Sequence, residues 1–362
     1  MTRHDTAPGT RAPRALVVGE ALVDVVRRTD GSVAEHPGGS PMNVAIGLGR
    51  LGRGVDLLTW LGQDARGGAV RRHLEASAVR VLRGDPQPAS TSVATATLDA
   101  GGAATYHFDL TWDLPTQWDE PAVDPLVVHT GSIAAVLEPG GAAVLQIVAA
   151  RRASSTITYD PNLRPALMGT PGATRPRVEA LVALADVVKV SDEDLEWLHP
   201  GVAPTELAEE WSRLGPGLVV VTNGGEGAFA HTAGGVRVII PAPRVEVADT
   251  VGAGDSFMSG LIDGLWSAGL LGADRRGALA DVDATTLQRL LARCARIAAI
   301  TVSRAGANPP AAGALGADRR GALADVDATT LQRLLARCAR IAAITVSRAG
   351  ANPPSSAELG EG

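Results

Sequence analysis

Between residues 126 and 222 the hydrophobic period switches repeatedly, and that rhythm narrows the available folds more than any other feature. Short, nearly continuous apolar runs at 126–129, 156–160, 187–190 and 218–222 are separated by stretches with helical spacing near 140–152, 177–185 and 205–214. A strand that is apolar on both faces must be covered on both sides, and an intervening helix is the usual crossover between parallel neighbours. The pattern predicts a mostly parallel sheet with helices on both faces. The polar residues ending those strands then line one edge, where ligands of open α/β sheets bind.

The N-terminal part fits the same sheet. Residues 15–24 open as a buried strand and run out into Asp24, and a second strand-like piece at 31–35 meets His36-Pro-Gly-Gly-Ser-Pro-Met-Asn43. From Met42 the apolar positions Val44, Ala45, Leu48 and Leu51 recur at helical spacing, with Gly52 as a stop. A strand at 55–61 and a helix from about Asp64 to Ala76 follow. Residues 91–110 read instead as two β-runs about a Gly101-Gly102 turn, suited to a partly exposed sheet. With 362 residues and 45% hydrophobic content, the chain can bury one large core. Residues 1–14, polar and bearing Pro and Gly, are expected to be a disordered tail.

Residues 268–310 recur as 312–354, the single difference being Leu270 against Ala314. Two near-identical copies do not make a solenoid, which needs several diverged repeats. The pattern is that of a tandem duplication, or of an assembly error. Each copy carries one helix; in the first, Asp283 is the cap, Leu287, Leu290, Leu291, Cys294 and Ile297 the apolar face, and Gly306 the stop. The two cysteines, Cys294 and Cys338, are copies of one residue, so no disulfide framework is expected. Direct connection favours docking of the first copy, because looping out 44 more residues costs about 1.2 kcal/mol.

Composition removes several classes of function. The net charge is −6, without basic clusters interleaved with aromatics, which argues against nucleic acid. No apolar stretch approaches membrane-spanning length and no signal-like segment opens the chain, so a soluble cytoplasmic protein is expected. His4, His73, His129, His199 and His231 lack zinc-ligand spacing. There is no GxxxxGK[ST] loop and no Gly-x-Ser-x-Gly elbow. Gly47-Leu-Gly49-Arg-Leu-Gly52 matches GxGxxG but falls in and after a helix, where helix packing and a stop explain its glycines. Lys189 is the only lysine; either a codon bias replaces Lys wherever charge alone matters, or this position needs a compact ammonium.

Five stretches remain that carry chemistry. In Asp249-Thr-Val-Gly-Ala-Gly-Asp255-Ser-Phe, small residues precede an amphipathic run at 257–266, so backbone N–H groups and a helix dipole can converge on an anion. Asp255 beside such a site is placed to accept a proton from an attacking hydroxyl. The loop from His36 to Asn43 reads as a turn or as a backbone-lined polyol site, and Asp24 as a turn former or a hydroxyl acceptor. Asp160-Pro-Asn-Leu-Arg164 ends a strand, with Arg164 either a phosphate fork or a surface residue. Lys189-Val-Ser-Asp-Glu-Asp194 offers carboxylates that order water around Mg²⁺ or cap a helix. Thr222-Asn-Gly-Gly-Glu-Gly227 is a turn or a phosphate-facing loop.

In this order the stretches resemble the ribokinase-like, phosphofructokinase-B type sugar kinases, and fructokinases most. Gly38-Gly39-Ser-Pro-Met-Asn43-Val-Ala and the 249–257 stretch carry the likeness, which spans about 15–310. The resemblance implies a three-layer α/β/α sandwich with a small β lid from about 25–35 and 91–110. It implies Asp255 as base, the N–H groups of Gly252, Ala253 and Gly254 as an anion hole, and Arg164 near the transferred phosphate. Asp24, Gly38, Gly39 and Asn43 match sugar-binding positions. Lys189, Ser191, Thr222, Gly224 and Gly227 fall in segments lining the nucleotide, and Asn308 in a tail near the purine. ATP and Mg²⁺ are the implied cofactors, with Asp194 acting on the metal through water, and K⁺ is a further candidate beside Asp249.

One departure concerns the family's Asn-x-x-Glu metal motif, here Ser191-Asp-Glu-Asp194. The implied activity is transfer of the γ-phosphoryl of ATP to a sugar, with D-fructose at O6 preferred and 2-keto-3-deoxygluconate, or another sugar or nucleoside, as alternatives. The partners implied are the sugar, ATP and a second copy pairing through the lid. A non-catalytic sugar sensor on the same fold is the rival class, against which the intact Gly252, Gly254 and Asp255 argue.

Overall fold

The computed structural model describes residues 12–99 and 104–315. β1 (Arg14–Val18), β2 (Leu22–Arg27) and β3 (Val33–Gly38) lead into α1 (Ser40–Arg50). Then come β4 (Gly54–Leu58), α2 (Ala65–Glu75), β5 (Val79–Val81), β6 (Gly84–Asp85), β7 (Val93–Leu98), β8 (Ala104–Asp109) and β9 (Gln117–Trp118). The alternating half comprises β10 (Val127–Gly131), α3 (Gly140–Arg151), β11 (Thr156–Asp160), α4 (Pro165–Met168), α5 (Pro171–Leu184) and β12 (Val187–Ser191). It continues through α6 (Asp192–Leu198), α7 (Pro204–Leu214) and β13 (Leu218–Asn223). β14 (Gly227–Thr232), β15 (Arg237–Ile240), α8 (Ala253–Ser267), α9 (Arg276–Ala280), α10 (Ala284–Val302) and α11 (Ala312–Leu315) follow.

The main sheet has nine strands in the order β15-β14-β13-β12-β11-β10-β1-β4-β5. It is parallel from β13 to β5, and only β14 and β15 pair antiparallel. Along β1, Ala15 and Val17 enter one core and Leu16 and Val18 the other, as a strand covered on both faces requires. The first core takes Met42 and Leu48 of α1, Leu261 of α8 and Leu287 of α10. The second takes Val144, Val178, Leu195 and Trp211 from α3, α5, α6 and α7. This is the expected layered arrangement.

The repeated segment contributes its first copy to that core. Gly260 and Gly264 of α8 let α10 approach closely, since added Cβ atoms would lie 2.9 Å from Ile297 Cδ1 and 2.7 Å from Leu290 Cδ2. Asp283 caps α10, accepting from Thr286 N at 2.9 Å. The second copy falls outside the described residues after 315, as do 1–11 and the Gly101-Gly102 turn.

A separate four-stranded sheet, β3-β2-β7-β8, joins the two stretches expected to form a lid. It reaches further than 25–35, because β2 begins at Leu22 and β3 runs to Gly38, pairing Asp24 with His36. Other boundaries moved as well. The strand expected from 15 includes Arg14, whose guanidinium pairs with the buried Asp56 at 2.6 Å. The strand expected at 55–61 ends at Leu58, whose carbonyl accepts Gly19 N. The helix expected from 177 starts at Pro171, where Thr170 supplies the cap and Pro occupies the tolerated first position. Pro176 inside it had hidden that start.

Candidate active site

α8 begins at Ala253 rather than at 257, because its first turn carries no apolar stripe to reveal it. Gly252 precedes it at φ +75, and a Cβ there would lie 2.6 Å from Ala307 Cβ, so both the turn and the crowding require glycine. Asp249 ties this loop to the tail of α10: its Oδ1 accepts Val251 N at 3.0 Å and its Oδ2 accepts Gly306 N at 2.9 Å. Ala253 N turns to the Thr250 carbonyl at 3.3 Å.

Asp255, in the first turn of α8, is buried and held by three side chains from distant elements. Its Oδ1 accepts Ser40 Oγ at 2.6 Å and Asn162 Nδ2 at 3.3 Å, and its Oδ2 accepts Asn43 Nδ2 at 2.8 Å. Asn162 also donates to Ser40 Oγ at 2.6 Å. The start of α1 and the turn after β11 therefore converge on the helix that carries Asp255. Neither Ser40 nor Asn162 was picked out by sequence. Ser40 lies within the Gly38 to Asn43 motif, whereas Asn162 owes its direction to a left-handed turn at φ +39 that the sequence does not announce.

Gly38 pairs with Leu22 across β2 and β3, yet the Asp24 side chain lies so close that a Cβ on Gly38 would fall 2.1 Å from Asp24 Oδ2. Desolvation pushes Asp24 up to about 6, against the pull of the Arg164 and His36 charges. Gly39, at φ +116, has room for no side chain, because a Cβ would sit 2.5 Å from the Glu20 carbonyl oxygen.

On the other side of α8 a cleft of about 400 Å³ opens. Its polar wall holds Arg164, Lys189, Ser191, Asp194, Thr222, Gly224 and Gly227, together with Ala253 and Gly254. Its apolar wall comes from Val245, Val247, Phe257, Ala295, Ala298 and Val302. Lys189 is buried and pairs with Asp160 at 2.8 Å, and a Cβ on Gly254 would lie 3.0 Å from its ammonium. The only lysine therefore sits against the first turn of α8. Burial pushes Asp160 up and the Lys189 charge draws it back.

Ser191 caps α6 through Asp194 N at 3.0 Å, and Asp194 Oδ1 accepts Leu163 N at 2.9 Å. Burial raises Asp194, with Lys189 opposing. The Arg164 guanidinium folds back onto its own loop, donating to Asn162 Oδ1 at 2.7 Å and the Leu163 carbonyl at 2.9 Å. Asn308 does not join the residues lining the cleft. Exposed on the α1 side, its Oδ1 accepts Arg50 Nη1 at 2.5 Å. The tail beyond α10 reaches Arg50 instead of the apolar wall.

Residues 12–313 match the pfkB family of carbohydrate kinases. A fructokinase of Rhizobium leguminosarum bv. trifolii is 35% identical over 269 residues, covering 71% of this chain and 81% of that protein. The Escherichia coli fructokinase is 31% identical across 80% of this chain and 94% of its own. Among solved structures, Vibrio cholerae O395 fructokinase in its fructose, ADP and calcium bound form superposes with a TM-score of 0.65 at 26% identity, covering 82% of this chain and 94% of that one. Fructokinase from Xylella fastidiosa with bound ATP shares the fold, with a TM-score of 0.68 at 23% identity over 81% of this chain and 93% of its own.

Proposed function

The chain belongs to the pfkB family of carbohydrate kinases and is an ATP-dependent sugar kinase, and we propose that its acceptor is D-fructose, phosphorylated at O6. Asp255 carries the proposal: a buried carboxylate in the first turn of a helix, oriented by Ser40, Asn43 and Asn162. A carboxylate has about four lone-pair sites, so these contacts fix its direction and leave capacity for a substrate hydroxyl. Asp255 takes the hydroxyl proton as that oxygen bonds to the γ-phosphorus, and the bond to the β–γ bridging oxygen breaks to release ADP. The N–H groups of Gly252 and Gly254, with the helix dipole, would meet the charge on the transferred group, and Ala253 N would join them by leaving the Thr250 carbonyl.

Asp24, Gly38, Gly39 and Asn43 would hold the sugar hydroxyls from the four-stranded sheet and the start of α1. Lys189, Ser191, Thr222, Gly224 and Gly227 would take the phosphate side of ATP, and the wall of Val245, Val247 and Ala298 the purine. Arg164 would leave its own loop to bind phosphate oxygens. Asn308, which engages Arg50 in this structure, would reach the purine by leaving that contact.

Among the described residues no group of three or more His, Cys, Asp or Glu forms a metal cage. Asp194 does line the cleft, and with one oxygen accepting Leu163 N its other oxygen would order water around Mg²⁺ held by the ATP phosphates. Bound there, Mg²⁺ would neutralise phosphate charge. Asp249 is the residue for K⁺, its carboxylate spanning the 249–252 loop and Gly306. No helix among the described residues is long and apolar enough to cross a membrane; a cytoplasmic location is proposed because the donor, ATP, is supplied there. Two copies would pair through the four-stranded sheet, a reading supported by the exposed Val33 and Tyr106 on it.

An ADP-release assay across fructose, 2-keto-3-deoxygluconate, ribose and adenosine tests the acceptor. Fructose should give the highest kcat/KM; a higher value for another sugar would reassign the substrate and leave the kinase class intact.

A further inference from the structure

Glu20 lies in the turn between β1 and β2, only 5% exposed. Its Oε1 accepts Ser40 N at 3.3 Å, and its Oε2 accepts Ala134 N at 3.1 Å. These N–H groups belong to the first turns of α1 and of the one-turn 3₁₀ helix Ser132–Ala135. Both elements follow a glycine, Gly39 and Gly131, and neither has a side-chain cap of its own. One buried carboxylate thus serves two helix starts, where negative charge is favoured. Gly39 is also pressed against the backbone of residue 20, at a φ that disfavours any side chain.

Ser40 links this carboxylate to the reacting one. Its N–H donates to Glu20 and its Oγ donates to Asp255; one turn later Asn43 donates to the other oxygen of Asp255. We propose that Glu20 is a positioning residue for phosphoryl transfer: as a carboxylate it fixes the first turn of α1, so that Ser40 and Asn43 hold Asp255 toward the acceptor hydroxyl. The proposal rests on the reading of Asp255 as the base. Protonation of Glu20 converts one accepting oxygen into a donor and loosens one of the two helix starts.

The surroundings place that event in an accessible range. Burial raises Glu20 to about 7, opposed by its own backbone N–H, the Ser132 side chain, Ala134 N–H and, at longer range, the Arg164 charge. A buried carboxylate that merely tied two loops together would affect stability without shaping the pH dependence of catalysis.

Glu20→Gln keeps the shape, keeps one accepting oxygen, turns an NH₂ toward the other N–H and removes the titration. We expect kcat/KM for the sugar to fall about tenfold, the loss of one charge-assisted hydrogen bond, with the KM for ATP unchanged. In the parent enzyme kcat/KM should decline as pH falls through about 7. The Gln variant should lack that limb and keep the lower one from Asp24, near 6. An unchanged kcat/KM, or a loss that leaves the limb near 7 in place, overturns the proposal. If the variant does not melt cooperatively, hydrogen exchange in the parent decides. Faster exchange of the Ser40 and Asn43 amides at pH 6 than at pH 8, after correction for the intrinsic rate, supports the proposal, and equal protection overturns it. Asp255→Asn separates the two readings. Retained turnover there refutes the base itself, whereas an inactive Asn variant beside an unaffected Gln variant refutes only the role of Glu20.

Discussion

Asp255 and Lys189 lie on opposite flanks of the same helix start, yet their surroundings differ in kind. Around Asp255 the contacts are directional hydrogen bonds from Ser40, Asn43 and Asn162. Lys189 also has a partner, Asp160, but it looks into a cleft whose far wall is Val245, Val247, Ala298 and Val302. The proposed acceptor side is arranged by its own residues before any ligand arrives, while the proposed nucleotide side is a slot defined by shape. Chemistry that needs a proton to leave in one direction calls for the first; a flat aromatic base is adequately held by the second. Damage on the acceptor side should therefore appear mainly in kcat, and damage on the nucleotide side mainly in the KM for ATP.

The largest effect expected is from Asp255→Asn. An amide keeps the shape but cannot take the hydroxyl proton, so kcat should fall by about 10²–10⁴-fold. Calorimetry should still detect fructose binding, because the polyol contacts proposed for it lie on α1 and the four-stranded sheet. If kcat falls less than about tenfold, the division between the two sides loses its foundation. Gly252→Ala is next and strikes the junction between them. A left-handed φ and a contact of 2.6 Å to Ala307 together should cost about 1–3 kcal/mol in stability, read by denaturant melts. It should lower kcat as well, since the N–H groups proposed to meet the phosphoryl would be displaced.

Ala298→Leu should have a smaller and more selective effect. Its side chain would grow into the apolar wall, raising the KM for ATP roughly tenfold while the KM for fructose stays put. A matching rise for the sugar would mean that the two sides are coupled through α8 and that the contrast drawn between them is too sharp.

The same contrast explains which parts of the molecule were legible in the sequence. Strand and helix alternation, the cap at Asp283 and the two glycine-rich motifs are local patterns, and they were readable. Asp255 could be singled out because a carboxylate beside an anion loop needs a chemical reason. The hydrogen bonds that aim it could not, since Ser40 and Asn162 reach it from more than 90 positions away, through a fold and a left-handed turn that no short window encodes. Glu20 was hidden inside a run that reads as plain strand, and its role exists only because α1 and 132–135 start beside it. Asn308 shows the same limit: its segment was placed by resemblance, and its partner, Arg50 on α1, lies far away in the sequence.

The smallest effect concerns the segment that exists twice. α10 of the first copy supplies Ala295, Ala298 and Val302 to the nucleotide wall, so the shape-defined side depends on which copy docks. Both copies offer the same apolar face, and the preference between them comes from the chain connection, at about 1.2 kcal/mol for the 44 additional residues. Leu270 adds to it, because it packs against the first core and the second copy has Ala314 at that place. α11 at the start of the second copy buries nothing, and the family match ends at residue 313. Deleting 312–354 should therefore leave kcat, both KM values and the melting midpoint nearly unchanged. The deletion leaves Cys294 as the only cysteine, buried against α8, so a thiol reagent should find no fast-reacting group in the folded variant. Rapid labelling, or loss of the cooperative melt, would mean that the first copy does not hold the wall by itself, and the nucleotide side would then owe its shape to both.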